Sequence, residues 1–172
     1  MKNIALGILG AILLTTGLIA KNNMFISAEV GYSSSNYEDD FSDSDFKSIY
    51  TSYKLGKYFD AYRLSMSMQN SNTIGINTDY LFIQENSRFT PYIGANTGYY
   101  YSESSYTSKS SSYENTSKQS IISLGITLGL IYEINDSFEI DTGCGAGIYR
   151  GNDSISGNAI SCDIGINYLF RD

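Results

Sequence analysis

The sequence has no histidine, no tryptophan, one proline and two cysteines among its 172 residues. Without an imidazole, the serine–histidine hydrolase and carboxylate–histidine protease schemes lose the group that carries the proton. Histidine metal sites are lost with it. Basic residues are also scarce, with eleven Lys and Arg against eighteen Asp and Glu and a net charge of −7. Nucleic-acid binding, which needs a basic surface, is therefore not expected. No glycine-rich phosphate loop is present. The acidic run Glu38, Asp39, Asp40, Asp43 and Asp45 lacks the spacing of an EF-hand loop and reads as a solvated segment.

Long apolar runs are missing too, except at the N-terminus. Lys2 precedes an apolar stretch from Ile4 to Leu14 that extends, less cleanly, to Ala20. This pattern predicts a signal peptide over residues 1–20, cleaved before Lys21, and one domain over 21–172. A transmembrane anchor is the rival reading, but the run is short and broken by Gly7, Gly10 and Gly17. Loss of Lys2 with that segment leaves ten basic and eighteen acidic residues, a net charge of −8.

What remains is rich in tyrosine, serine, glycine and asparagine, a mix that suits strands and polar loops. Beyond residue 21 no helical period of useful length occurs, and period-two alternation recurs instead. It marks eight segments: 24–34, 47–59, 61–69, 73–83, 89–101, 119–133, 138–150 and 157–170. In the sixth, Ile122, Leu124, Ile126, Leu128 and Leu130 oppose Ser123, Gly125, Thr127 and Gly129. Pro91 sits near the start of the fifth, where a missing donor is easiest to tolerate. Each segment is about as long as a tilted strand needs to cross a bilayer, and an even number suits a closed bacterial barrel. The expected fold is all-β, an eight-stranded antiparallel up-and-down transmembrane β-barrel.

Tight connections at 60–61, 84–88 and 134–137 alternate with long polar ones at 35–46 and 103–118, of which 70–72 and 151–156 are shorter counterparts. Short turns belong at the periplasmic rim and longer loops outside. Aromatics of the apolar face gather beside the tight turns and the C-terminus: Phe59, Tyr62, Tyr80, Phe82, Tyr132, Phe138, Tyr168 and Phe170. One periplasmic girdle accounts for all eight, and Tyr32, Tyr99 and Tyr101 begin a second at the other rim. The plainer alternative is that aromatics favour strand ends in any sheet.

The sequence ends Asp163-Ile164-Gly165-Ile166-Asn167-Tyr168-Leu169-Phe170, followed by Arg171 and Asp172. Asp163, Gly165, Tyr168 and Phe170 resemble the terminal assembly signal of outer-membrane barrels. The stretch from Pro91 to Tyr99 resembles the middle strands of the outer-membrane β-barrel family that includes OmpA- and OmpX-like proteins. The resemblance implies a bacterial outer-membrane location. It implies contact with outer-membrane lipid and lipopolysaccharide, and recognition by the barrel-assembly machinery. That family spans surface adhesins, resistance factors, structural proteins and a few lipid enzymes, so fold alone does not decide function. A lipid deacylase on such a barrel would normally need the absent histidine.

Glu29, Lys54, Arg63, Asp79, Glu133, Glu139, Asp141 and Asp163 fall on the polar, inward-facing side of their segments. Paired carboxylates can act as acid and base, but an interior charge network around Lys54 and Arg63, sharing several acids, is the simpler expectation. Acids outnumber bases there, so some carboxylates are hydrated or protonated, or line a cation path. Gly143, Gly145 and Gly147 share one strand face and are expected to make room for bulky neighbours. On the apolar face, a register centred on Asp153 sets Cys144 opposite Cys162. An oxidising periplasm permits a disulfide, and two free, small apolar side chains are the alternative. The segment from Ser102 to Lys118, rich in serine and tyrosine, suits adaptable recognition, or is simply solvated.

No cofactor is expected. The leading expectation is a non-enzymatic integral outer-membrane protein with a structural or surface-interaction role, whose exposed loops meet an unidentified surface ligand. A narrow or gated pore, and a soluble secreted barrel binding a small lipophile, are the alternatives.

Overall fold

The computed structural model describes residues 23–39, 42–70, 72–107, 114–152 and 156–170, and among these the side chains outside 37–44 and 103–118. The signal peptide expected at 1–20, the side chains of Glu38, Asp39, Asp40 and Asp43, and most of the Ser102 to Lys118 segment's side chains lie outside the described residues.

Eight strands follow one another: β1 (Met24–Asp39), β2 (Ser42–Phe59), β3 (Tyr62–Gln69), β4 (Thr73–Leu81), β5 (Phe89–Thr107), β6 (Glu114–Asn135), β7 (Phe138–Gly151) and β8 (Ser156–Phe170). Each pairs antiparallel with its sequence neighbours, and β8 returns to β1, with Val30 opposite Ile164, to close the barrel. Closure pairs both edges of the strands around the barrel wall, which a hydrocarbon surrounding demands; the outer parts of β2, β5 and β6 keep one paired edge.

The alternation sets the two faces. Ile126 and Leu128 on the outer face are 62% and 64% exposed, whereas Ser27, Arg63 and Ser65 on the inner face are 2–3% exposed. The apolar side of the sheet thus points away from the lumen, the reverse of a water-soluble barrel. The periplasmic aromatics form chains of ring contacts: Tyr62 on Tyr80 at 5.3 Å, Tyr80 on Phe82 at 5.2 Å, Phe138 on Tyr168 at 5.3 Å and Tyr168 on Phe170 at 5.1 Å. Tyr132 packs on Phe89 at 4.8 Å.

Strand ends differ from the sequence expectation in two ways. The segments at 35–46 and 103–118, expected as loops, are largely strand. The β1–β2 ladder continues to Asp39 opposite Ser42, and the β5–β6 ladder to Thr107 opposite Glu114. Each added rung satisfies backbone groups that a loop would leave to water, and Ser, Thr and Tyr tolerate the extended backbone. At the other rim β4 stops at Leu81, two residues before the expected Ile83. Phe82 still donates its N–H to the Pro91 carbonyl at 2.9 Å. Pro91 has no N–H to return, so the ladder ends there.

The tight turns are built from Asx chemistry. Asp60 opens the two-residue β2–β3 turn with φ of 47°, a left-handed conformation that Asp tolerates. At the β6–β7 turn the Asn135 Oδ1 accepts the N–H groups of Ser137 at 2.9 Å and Phe138 at 3.0 Å.

The outer rim is uneven. β3 and β4 have 8 and 9 residues, whereas β5 and β6 have 19 and 22. Two tall hairpins, β1–β2 and β5–β6, flank a low one.

Candidate functional site in the barrel lumen

The lumen has three levels. At the periplasmic end Phe25, Leu81, Ile131 and Leu169 point inward and are at most 4% exposed. Leu81 and Ile131 cluster with Tyr92, Tyr58 packs against them, and Phe25 lies 5.2 Å from the Tyr58 ring. This apolar floor was not anticipated. Its sequence signal is an apolar residue in phase with the polar face, near the tight-turn end of four strands.

Above the floor sits the charge cluster. Arg63, on β3, is 2% exposed. Its Nε donates to Asp79 Oδ2 at 2.7 Å, and its Nη1 donates to Asp141 Oδ2 across the lumen. The Tyr92 hydroxyl donates to the other Asp141 oxygen at 2.9 Å. The guanidinium carbon lies 4.7 Å from the Tyr92 ring centre and 5.6 Å from that of Phe25, within cation–π range. Lys54 Nζ meets Glu29 Oε1 at 2.7 Å. The close ion pairs are divided, because Lys54 pairs across β2–β3 with Ser67 and Arg63 with Tyr58, four residues nearer the periplasm. Both cations still act on Asp141 and Asp163, the sharing that the sequence suggested.

The other inward acids sit outside these pairs. Glu139 Oε2 accepts the Tyr58 hydroxyl at 2.7 Å and the Asn167 Nδ2 at 3.3 Å. Asp163 Oδ2 accepts the Tyr50 hydroxyl at 3.1 Å. Glu133 stands opposite Glu139 at the periplasmic end and is half-buried.

Glycines make this filling fit. A Cβ on Gly129 would run into the Tyr92 ring, one on Gly31 into the Tyr50 ring, and one on Gly165 into the Glu29 side chain. Gly143 makes room for the Tyr92 hydroxyl in the same way. Gly145 and Gly147 do not follow this expectation, because the nearest atoms there are the main-chain carbonyls of Ile126 and Leu124 at 2.7 Å.

The outer half of the lumen is open. A cavity of about 750 Å³ is lined by Tyr50, Gln69, Asn96, Tyr100, Gln119 and Ser161 among others. Beneath it lies a smaller chamber of about 130 Å³, whose walls include Tyr50, Asn96, Ser161 and Asp163. On the outer surface Cys144 faces Cys162 in the β7–β8 register, and their sulfurs are joined in a disulfide. Of the four assembly-signal residues, Asp163 and Gly165 are on the lumen side of β8, and Tyr168 and Phe170 are on the lipid side.

The sequence matches the family described as Opacity family porin protein over residues 30–170. The chain belongs to this Opacity family. Among solved structures, it is similar to Neisserial surface protein A at 15% identity. That match covers 84% of this chain and 97% of the Neisserial one, with a TM-score of 0.65. The N-terminal β-barrel domain of OprF from Pseudomonas aeruginosa is 17% identical, covering 83% of this chain and 97% of that domain, with a TM-score of 0.49. No curated protein sequence matches significantly. The Opacity-family chain is a bacterial outer-membrane protein, as the resemblance of its terminal strand implied.

Proposed function

We propose that this Opacity-family barrel is a non-enzymatic surface-interaction protein whose tall outer hairpins meet a partner outside the cell. The observation that carries the reading is the difference in strand height. A tilted strand crosses a bilayer in about 9–11 residues, and β6 has 22. Half of it thus stands beyond the hydrocarbon, paired to β5 as far as Thr107 opposite Glu114. The lumen supports the same reading, since an apolar floor and the Arg63 cluster fill its periplasmic half. On this reading the outer face is solvated by outer-membrane lipid and lipopolysaccharide. Asp163, Gly165, Tyr168 and Phe170 serve as the signal read by the barrel-assembly machinery.

The test replaces residues 103–118 with a two-residue Asn-Gly turn. Bacteria displaying the native or shortened protein are scored for attachment to cultured epithelial monolayers. The shortened protein is expected to keep its heat-modifiable gel mobility and lose attachment. Unchanged attachment, together with reproducible single-channel steps in planar bilayers that Arg63→Ala alters, would replace this reading with a pore.

A further inference from the structure

The charges in the lumen do not balance. Lys54 is taken by Glu29, and Arg63 by Asp79 and Asp141. Asp163 forms no ion pair among the described residues; its carboxylate accepts the Tyr50 hydroxyl. It stands in the wall of the inner chamber of about 130 Å³, which shares Tyr50, Gln69, Asn96 and Ser161 with the outward-opening cavity of about 750 Å³. Below, Phe25, Leu81, Ile131 and Leu169 close the tube. Whatever reaches Asp163 therefore enters from outside.

The surroundings define what that is. A surplus of carboxylates in a tube with low-dielectric walls focuses a negative potential toward its mouth. Lys54 and Arg63 share the chamber wall with Asp163, but Glu29, Asp79 and Asp163 outnumber them there, and an added cation gains from that surplus. Anionic ligands are thus repelled. A metal ion is poorly served, because no group of three or more acidic or sulfur ligands is assembled among the described residues. An organic ammonium needs less: one carboxylate, scattered neutral acceptors, and aromatic faces for its methylenes. Gln69, Asn96 and Ser161 supply the acceptors, and Tyr50 and Tyr100 supply the rings. The cavity also falls within the roughly 300–1,000 Å³ typical of small-molecule sites. Glu38 and Asp39 on β1 and Asp43 and Asp45 on β2, with Lys47 beside them, add long-range attraction for a polycation.

We infer that the outer half of the lumen is a binding site for an aliphatic polyamine, one ammonium seated on Asp163 in the inner chamber and the chain lying against Tyr50 and Tyr100. The amine nitrogen donates to the Asp163 carboxylate and to the amide oxygens. The rest of the molecule fills the open cavity toward the rim.

The test is calorimetric titration of the full barrel, refolded in zwitterionic detergent, with spermidine. Mg²⁺ and maltose serve as probes of the alternatives. Saturable one-to-one binding of spermidine is expected, weakening steeply with salt. Asp163→Asn is expected to weaken it at least tenfold, and Tyr100→Leu several-fold. Asp163 belongs to the terminal assembly signal, so Ser161→Lys provides a second variant. Its ammonium enters the chamber from the wall and is expected to block spermidine. A heat-shift gel confirms that each variant is folded. Absence of saturable binding, equal affinity in folded Ser161→Lys and native protein, displacement by equimolar Mg²⁺, or tighter binding of maltose would each overturn the assignment.

Discussion

Arg63 shows how single side chains hold this barrel. Its guanidinium is buried at the centre of the lumen and bonded to carboxylates on two strands, one adjacent and one across the interior. The cost of desolvating three charged groups is offset only while all three are present. Arg63→Ala would leave Asp79 and Asp141 without their cation, and a loss of about 3–5 kcal/mol is expected. Urea unfolding of the protein refolded in lipid vesicles reads this directly. Arg63→Met combined with Asp79→Asn and Asp141→Asn removes the charges together, and is expected to recover most of that loss. If the triple variant is as unstable as the single one, packing around the guanidinium matters more than its charge.

Tyr92 adds a second constraint at the same point. Its ring lies over Gly129 while its hydroxyl holds Asp141. Gly129→Ala must push the ring aside and break that hydrogen bond, for an expected loss of about 1–3 kcal/mol. In a Tyr92→Ala background the same methyl should cost little, because the obstacle is gone. That non-additivity, measured in a double-mutant cycle, is the signature of direct contact. Additive losses would place the effect of Gly129 elsewhere.

At the scale of elements, the last hairpin is distinguished by its disulfide. Cys144 and Cys162 are separated by 18 residues and directly opposed. A bridge closing a loop of that length stabilises by about 3 kcal/mol in the chain-entropy account. Cys144→Ser with Cys162→Ser is expected to lower the unfolding free energy by up to that amount and leave the register unchanged. Thiol titration of the unreduced, denatured native chain should find no free thiol, and two per chain would overturn the assignment.

The register of this hairpin was legible in part: alternation allows any even slip, and the pairing centred on Asp153 that sets Cys144 opposite Cys162 is the one observed. The outer strand ends were not legible. Residues 35–39 and 103–107 are polar on both faces, so alternation disappears where the strand leaves the lipid although pairing continues. The partners of the buried charges were out of reach for a different reason. Asp141 meets Arg63 across the lumen, a contact created by closure and the tilt of the wall, which no single strand's pattern encodes. The floor residues Phe25, Leu81, Ile131 and Leu169 were masked by their phase, since each occupies a position that the alternation assigns to polar side chains.

At the scale of the whole molecule, the question is whether the closed wall encloses a path. Eight strands leave an interior just wide enough for side chains to fill. Filling is uneven here, because the outer half keeps a cavity of about 750 Å³ while the periplasmic half holds the floor and the Arg63 cluster. A path across the membrane is thus blocked by the floor and the cluster in series, and opening either alone leaves the other in place. The native barrel is expected to show no reproducible single-channel steps in a planar bilayer. Trimming the floor alone, with Phe25→Ala and Leu169→Ala, is expected to remain silent. These two changes remove large side chains from β1 and β8, the pair that closes the barrel, so a heat-shift gel must first confirm closure. Adding Arg63→Ser, Asp79→Ser and Asp141→Ser removes the second barrier, and a small, noisy conductance should appear in the combined variant. Steps in the native protein would show that the floor opens spontaneously. Silence in a folded combined variant would locate the barrier elsewhere, with the ring of Tyr58 or Tyr92 the next to trim.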